Sequence, residues 1–232
     1  MQRLFSTLLI TAVALQAATA HAHFIFLKVV PAAAGPTAEV YFGEGPEADD
    51  PDLIGNIAHV KLWERAAAGG LKLLTVTKGE DRLTAPLTAA KTIQVVGACE
   101  YGVIARGTPF LLRYYAKALS GDPTEAGALP PSSELPLEVM SQFTADGVTV
   151  TVLYQGKPVP KAALTTVDKQ GKTTKVEANE QGQLTWKLSE PGTYAVFAKH
   201  VVPTAGEFKG EKYSEIRAYS TLTFPFPLTA AK

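Results

Sequence analysis

The sequence predicts an all-β protein made of two immunoglobulin-like antiparallel β-sandwich domains in tandem. Two observations carry this. Apolar residues recur in short alternating segments with β-branched and aromatic content, the period of a half-buried strand. Turn residues punctuate them at close intervals, with 16 Pro and 19 Gly in 232 residues, a spacing that suits sandwiches better than βαβ units.

Taken in order, residues 23–30 form an apolar, β-rich opening segment, and 38–42 follow after a Pro/Ala/Gly turn. Residues 57–64 alternate, with Ala58, Val60 and Leu62 on one face and His59, Lys61 and Trp63 on the other. Segments 71–77, 92–96 and 110–115 complete a first group. Gly121-Asp122-Pro123 and Pro130-Pro131-Ser132-Ser133 are turn and linker chemistry. The expected organisation is therefore a sandwich over 23–119, a linker over 120–136 and a second sandwich over 137–228. In the second group Val148, Val150 and Val152 alternate with threonines, and 162–167 follow a Gly156-Lys157-Pro158 turn. Gln170-Gly171-Lys172 and Asn179-Glu180-Gln181-Gly182 are further turns. Leu184, Trp186 and Leu188 share a face, 193–200 follow Pro191-Gly192, and Leu222, Phe224 and Phe226 close the chain.

The first 22 residues read as a secretory leader and stand outside this fold. Arg3 is the positive region, residues 4–15 the apolar run and Ala20-His21-Ala22 the small-x-small cleavage site. A run of about a dozen residues is too short to span a bilayer, and no later stretch is apolar enough for a transmembrane helix. A periplasmic or secreted location is expected. With 22 Lys+Arg against 22 Asp+Glu, both signs interspersed, the basic excess needed for phosphate contacts is missing, which argues against nucleic acid. A single Cys excludes a disulfide framework within the chain.

Cleavage after Ala22 makes His23 the first residue. Its amine and imidazole then offer two nitrogen donors to one ion, and nitrogen donors suit Cu, Ni, Co or Zn. His59 and His200 are the other histidines beyond the leader. His200 has the core-like parity of Tyr194, Val196 and Ala198 and closes its segment. Cys99 is a thiolate ligand in one reading and a small buried hydrophobe in the other. The candidate metal set is thus His23, His59, His200 and Cys99. The acidic stretch Glu44, Glu47, Asp49, Asp50 and Asp52 lacks calcium-loop spacing and reads as a solvated loop. No nucleophile elbow, Walker loop, HExxH or paired-Cys motif occurs, so no catalytic residues and no enzyme are expected.

The run 154–162 with Gly156-Lys157-Pro158-Val159, then Asn179 to Gln183, then Pro191-Gly192-Thr193-Tyr194, resembles the successive turns of exported β-sandwich modules. With the leader ending in Ala-His and the close through Ala198-Lys199-His200 and Thr221-Leu222-Thr223-Phe224, the whole mature chain resembles one exported family. That family is labelled the periplasmic component of a cobalt transport system, or the nickel uptake family. Ala98-Cys99-Glu100-Tyr101 and Leu111-Leu112-Arg113-Tyr114-Tyr115 resemble its planctomycete-type variant. The resemblance implies handling of a divalent transition metal ion (Ni, Co or Cu) outside the cytoplasm, with a membrane metal transporter as partner. The competing expectation is a metal-free structural or interaction module of the periplasm or cell surface.

Overall fold

The computed structural model describes residues 23–33, 35–66, 69–88 and 93–227. The expected leader and its cleavage site lie outside the described residues. Strands β1 (Phe24–Val30) and β2 (Thr37–Gly43) pair in antiparallel register, Phe24 opposite Gly43. A 3₁₀ turn over Pro51–Ile57 leads to β3 (Lys61–Ala66), then β4 (Lys72–Leu73), β5 (Thr77–Lys78) and β6 (Leu83–Pro86). The long hairpin β7 (Ile93–Ile104) and β8 (Phe110–Ser120) is followed by the short helix α1 (Pro123–Ala128). Next come β9 (Leu137–Thr144), β10 (Gly147–Tyr154), β11 (Lys157–Pro158), β12 (Ala163–Val167) and β13 (Thr173–Glu177). The chain ends through β14 (Gln183–Lys187), β15 (Gly192–Val202), the small hairpin β16 (Gly206–Phe208) and β17 (Glu211–Tyr213), and β18 (Glu215–Phe226).

The chain is an all-β sandwich, as its alternation implies, and among the described residues its sheets are antiparallel in all but one pairing. The organisation differs from two sandwiches standing side by side. An eight-stranded sheet runs β13-β12-β15-β18-β8-β7-β3-β4, so both groups of strands contribute to it. They meet where β18 pairs parallel to β8, from Glu215 opposite Phe110 to Thr223 opposite Ala118. Neither face of this sheet is free. The sheet β1-β2-β6-β5 covers one face and β9-β10-β14 the other. Side chains alternate across a strand, and consecutive residues accordingly enter different cores: Val95, Tyr114 and Ala195 the first, Val96, Tyr115 and Tyr194 the second. A strand buried on both faces reads as a near-continuous apolar run, which is why β8 reads Leu111-Leu112-Arg113-Tyr114-Tyr115-Ala116.

The stretch expected as a linker is packed. Ala126, Leu129, Ser132 and Leu135 are buried. The Arg65 guanidinium donates to Pro130 O at 2.7 Å, and Ser132 N–H donates to Glu138 Oε2 at 2.8 Å. Local turn chemistry is as the sequence suggests. Asn179 Oδ1 accepts from the N–H groups of Gln181 and Gln183, each at 2.9 Å. Gly182 completes that turn at φ +70°, where a Cβ would lie 2.7 Å from Val159 O.

Candidate functional site

The parallel pairing of β8 with β18 has a consequence at one end of the central sheet. It brings the starts of both strands together, beside the end of β7 and the start of β1. A cavity of about 590 Å³ opens there. His23 and Phe24 enter from the head of β1, Phe42 from the tail of β2 and Tyr101 from late β7. Tyr114 and Tyr219 rise from the sheet floor. These rings are mutually packed. The Phe24–Tyr219 centroids are 5.0 Å apart, and Tyr101 and Tyr114 meet edge to face at 5.7 Å, the arrangement that the ring quadrupole favours.

His23 is held at this cavity from two sides. Tyr114 donates its hydroxyl proton to His23 O at 2.9 Å. On the other side, His23 Nε2 lies 3.4 Å from Asp49 Oδ2, and its ring packs on Phe42 with centroids 5.6 Å apart. A carboxylate facing one ring nitrogen favours the proton on that nitrogen. Nδ1, the ring nitrogen nearer the residue's own backbone nitrogen, makes no hydrogen bond among the described residues. Within the acidic stretch, Asp50 is used locally, its Oδ1 accepting from Asp52 N–H at 3.0 Å at the head of the 3₁₀ turn.

The other candidate ligands are elsewhere. His59 and Cys99 do come together. In the β3–β7 register Lys61 faces Ala98, and continuing that register sets His59 across from Glu100. His59 Nε2 donates to Glu100 O at 2.9 Å and lies 3.3 Å from Cys99 Sγ. A carbonyl only accepts, so this contact places the proton on Nε2. Burial pushes the Cys99 thiol up to about 12, with the Glu100 charge adding to it. Cys99 is buried and its thiol is held in the protonated form, the state of a small buried hydrophobe rather than of a thiolate ligand. These residues line a separate cavity of about 260 Å³ with Trp63 and Tyr115.

His200 is in a third place. It follows the inward parity of β15, and its ring packs against Tyr154 of β10 at 4.4 Å between centroids. Burial lowers its pKa. His23, His59 and His200, candidate ligands by residue type, thus stand in three separate places, the first two lining different cavities and the third packed on Tyr154. Among the described residues no three His, Cys, Asp or Glu side chains are grouped to hold a metal ion. The reason is topological: the three histidines sit at the head of β1, before β3 and late in β15, positions that the shared sheet keeps apart.

Sequence reasoning overlooked most of the cavity. Arg106, Phe110, Arg217 and Tyr219 all line it. Their only local signal is that they are aromatic or basic residues in the β7–β8 turn and the first halves of β8 and β18; their proximity depends on the parallel pairing. Among the described residues no helix is long and apolar enough to cross a membrane. No protein-family model matches the chain, and no curated protein matches it.

Proposed function

We propose that this is an exported, non-catalytic protein that takes a transition metal ion as cargo at His23 and passes it to a membrane transporter. The observation that carries the reading is the contact of His23 Nε2 with Asp49. It orients the imidazole so that Nδ1 and the amine exposed by cleavage after Ala22 serve the same ion, and carboxylates that orient ligating histidines raise ligand basicity. The donor chemistry fits Cu, Ni or Co. A site with few protein donors leaves coordination positions open, which suits transfer rather than permanent retention. The exported location and the nickel or cobalt association rest on the leader and on the family resemblance.

The test is calorimetry on the chain beginning at His23. Cu(II) binds more tightly than Ni(II) or Co(II), following the Irving–Williams order. One glycine added before His23 converts the amine to an amide and weakens Cu(II) binding at least tenfold. Asp49→Asn weakens it about tenfold through the lost orientation. His59→Ala and His200→Ala leave it unchanged. Equal affinity with and without the added glycine overturns the reading and leaves a metal-free binding module.

A further inference from the structure

The cavity at His23 is far larger than an ion requires. Its volume of about 590 Å³ falls in the range of small-molecule sites, about 300–1,000 Å³. Its walls are flat rings, and its rim is basic. Arg217 lies over Phe110 with the guanidinium carbon 3.7 Å from the ring centroid, while its Nε donates to Glu215 Oε1 at 2.7 Å. Arg106 is exposed and makes no ion pair or hydrogen bond among the described residues. Two carboxylates touch lining residues, Asp49 on His23 and Glu215 on Arg217, and neither lines the cavity itself. The hydroxyls of Tyr101 and Tyr219 also have no hydrogen-bond partner among the described residues.

We infer that this cavity binds a small planar aromatic carboxylate, its ring between the aromatic walls and its acid on Arg106. Stacked and edge-on rings accept a flat ligand without rearrangement. A guanidinium with no partner takes a carboxylate in bidentate fashion, and the free ends of Arg217 support it. The Tyr101 and Tyr219 hydroxyls satisfy further polar atoms on the ligand. None of these groups requires a metal, so the inference stands apart from the reading of His23 as a metal ligand.

The experiment uses the purified protein stripped of metal with EDTA, so that a failure here is distinct from a failure at His23. The probe is 2-naphthoate, titrated by calorimetry and followed by saturation-transfer NMR. Its neutral counterpart is 2-naphthalenemethanol and its saturated one decahydro-2-naphthoate. The expected result is saturable 2-naphthoate binding at least tenfold tighter than either analogue. Arg106→Ala weakens naphthoate at least tenfold and leaves 2-naphthalenemethanol unchanged. Because Arg106 is exposed and unpaired, this variant keeps the fold, which the same NMR spectra confirm. Absent naphthoate binding, equal binding of the neutral alcohol, or an Arg106→Ala variant that binds naphthoate as well as wild type does each overturns the inference.

Discussion

His200 shows what a single residue takes from sequence and what it takes from the fold. Its inward parity is legible, because Tyr194, Val196 and Ala198 on the same strand are all buried. Its partner is not legible. Tyr154 lies 46 positions earlier on a strand of another sheet, and no local pattern pairs them. Burial disfavours the imidazolium, so the folded pKa lies below the ordinary value of 6.5. Above about 6.5 the group is neutral in both states and the fold is not penalised. As pH falls below that, the unfolded chain takes the proton first and stability is lost through the folded pKa. The expected outcome is a smaller fall in Tm between pH 7.5 and 5 for His200→Gln than for wild type. Parallel pH slopes in scanning calorimetry would show that His200 does not contribute to acid sensitivity. Cys99 carries the same lesson. Its smallness and isolation are visible in the sequence, but its contact with His59 depends on a strand register that turn residues alone do not set.

At the scale of elements, the stretch 120–136 shows where local reading stops. Gly121, Pro123, Pro130 and Pro131 say where the backbone bends. They do not say whether the bend is covered. Covering comes from a buried ion pair that the sequence does not announce: Lys117 on β8 and Glu138 on β9, Nζ to Oε1 2.6 Å, each side chain 2% exposed. Glu138 also accepts from Ser132 N–H, which anchors the segment between them. Desolvation lowers the Lys117 pKa, and the Glu138 charge acts against that shift. Removing one charge leaves the other buried without its counterion, at a cost of about 3–5 kcal/mol, whereas replacing both with apolar residues is often neutral. Glu138→Gln is therefore expected to lower unfolding free energy in urea by about 3–5 kcal/mol. Lys117→Met combined with Glu138→Leu should recover most of that loss. A Glu138→Gln variant within about 1 kcal/mol of wild type would mean the pair is not desolvated as described.

Across the whole molecule, strand positions were legible and strand partners were not. Segments such as 148–152, 162–167 and 193–200 fall inside β10, across β12 and inside β15, because alternation is a local property. Which strand lies beside which is decided by burial of whole faces. The parallel pairing of β18 with β8 joins residues about a hundred positions apart. That pairing makes the two cores interdependent. Val167 and Ala195 from the later strands pack in the first core, while Val96, Tyr115 and Leu119 from the earlier strands pack in the second. Trp63 of β3 also packs against the second core. Cutting the chain between the groups would open two long strand edges and strip one wall from each core. Edges of that kind associate rather than stay free. Residues 23–119 and 137–228 produced separately are thus expected to lack dispersed amide spectra and to aggregate. In the intact chain, the slowest-exchanging amides of β1 and of β10 should share one opening free energy in native-state hydrogen exchange, the mark of a single cooperative unit. Two well-separated opening energies, or a soluble and dispersed fragment 137–228, would show that the later sandwich stands without the sheet that joins it to the earlier one.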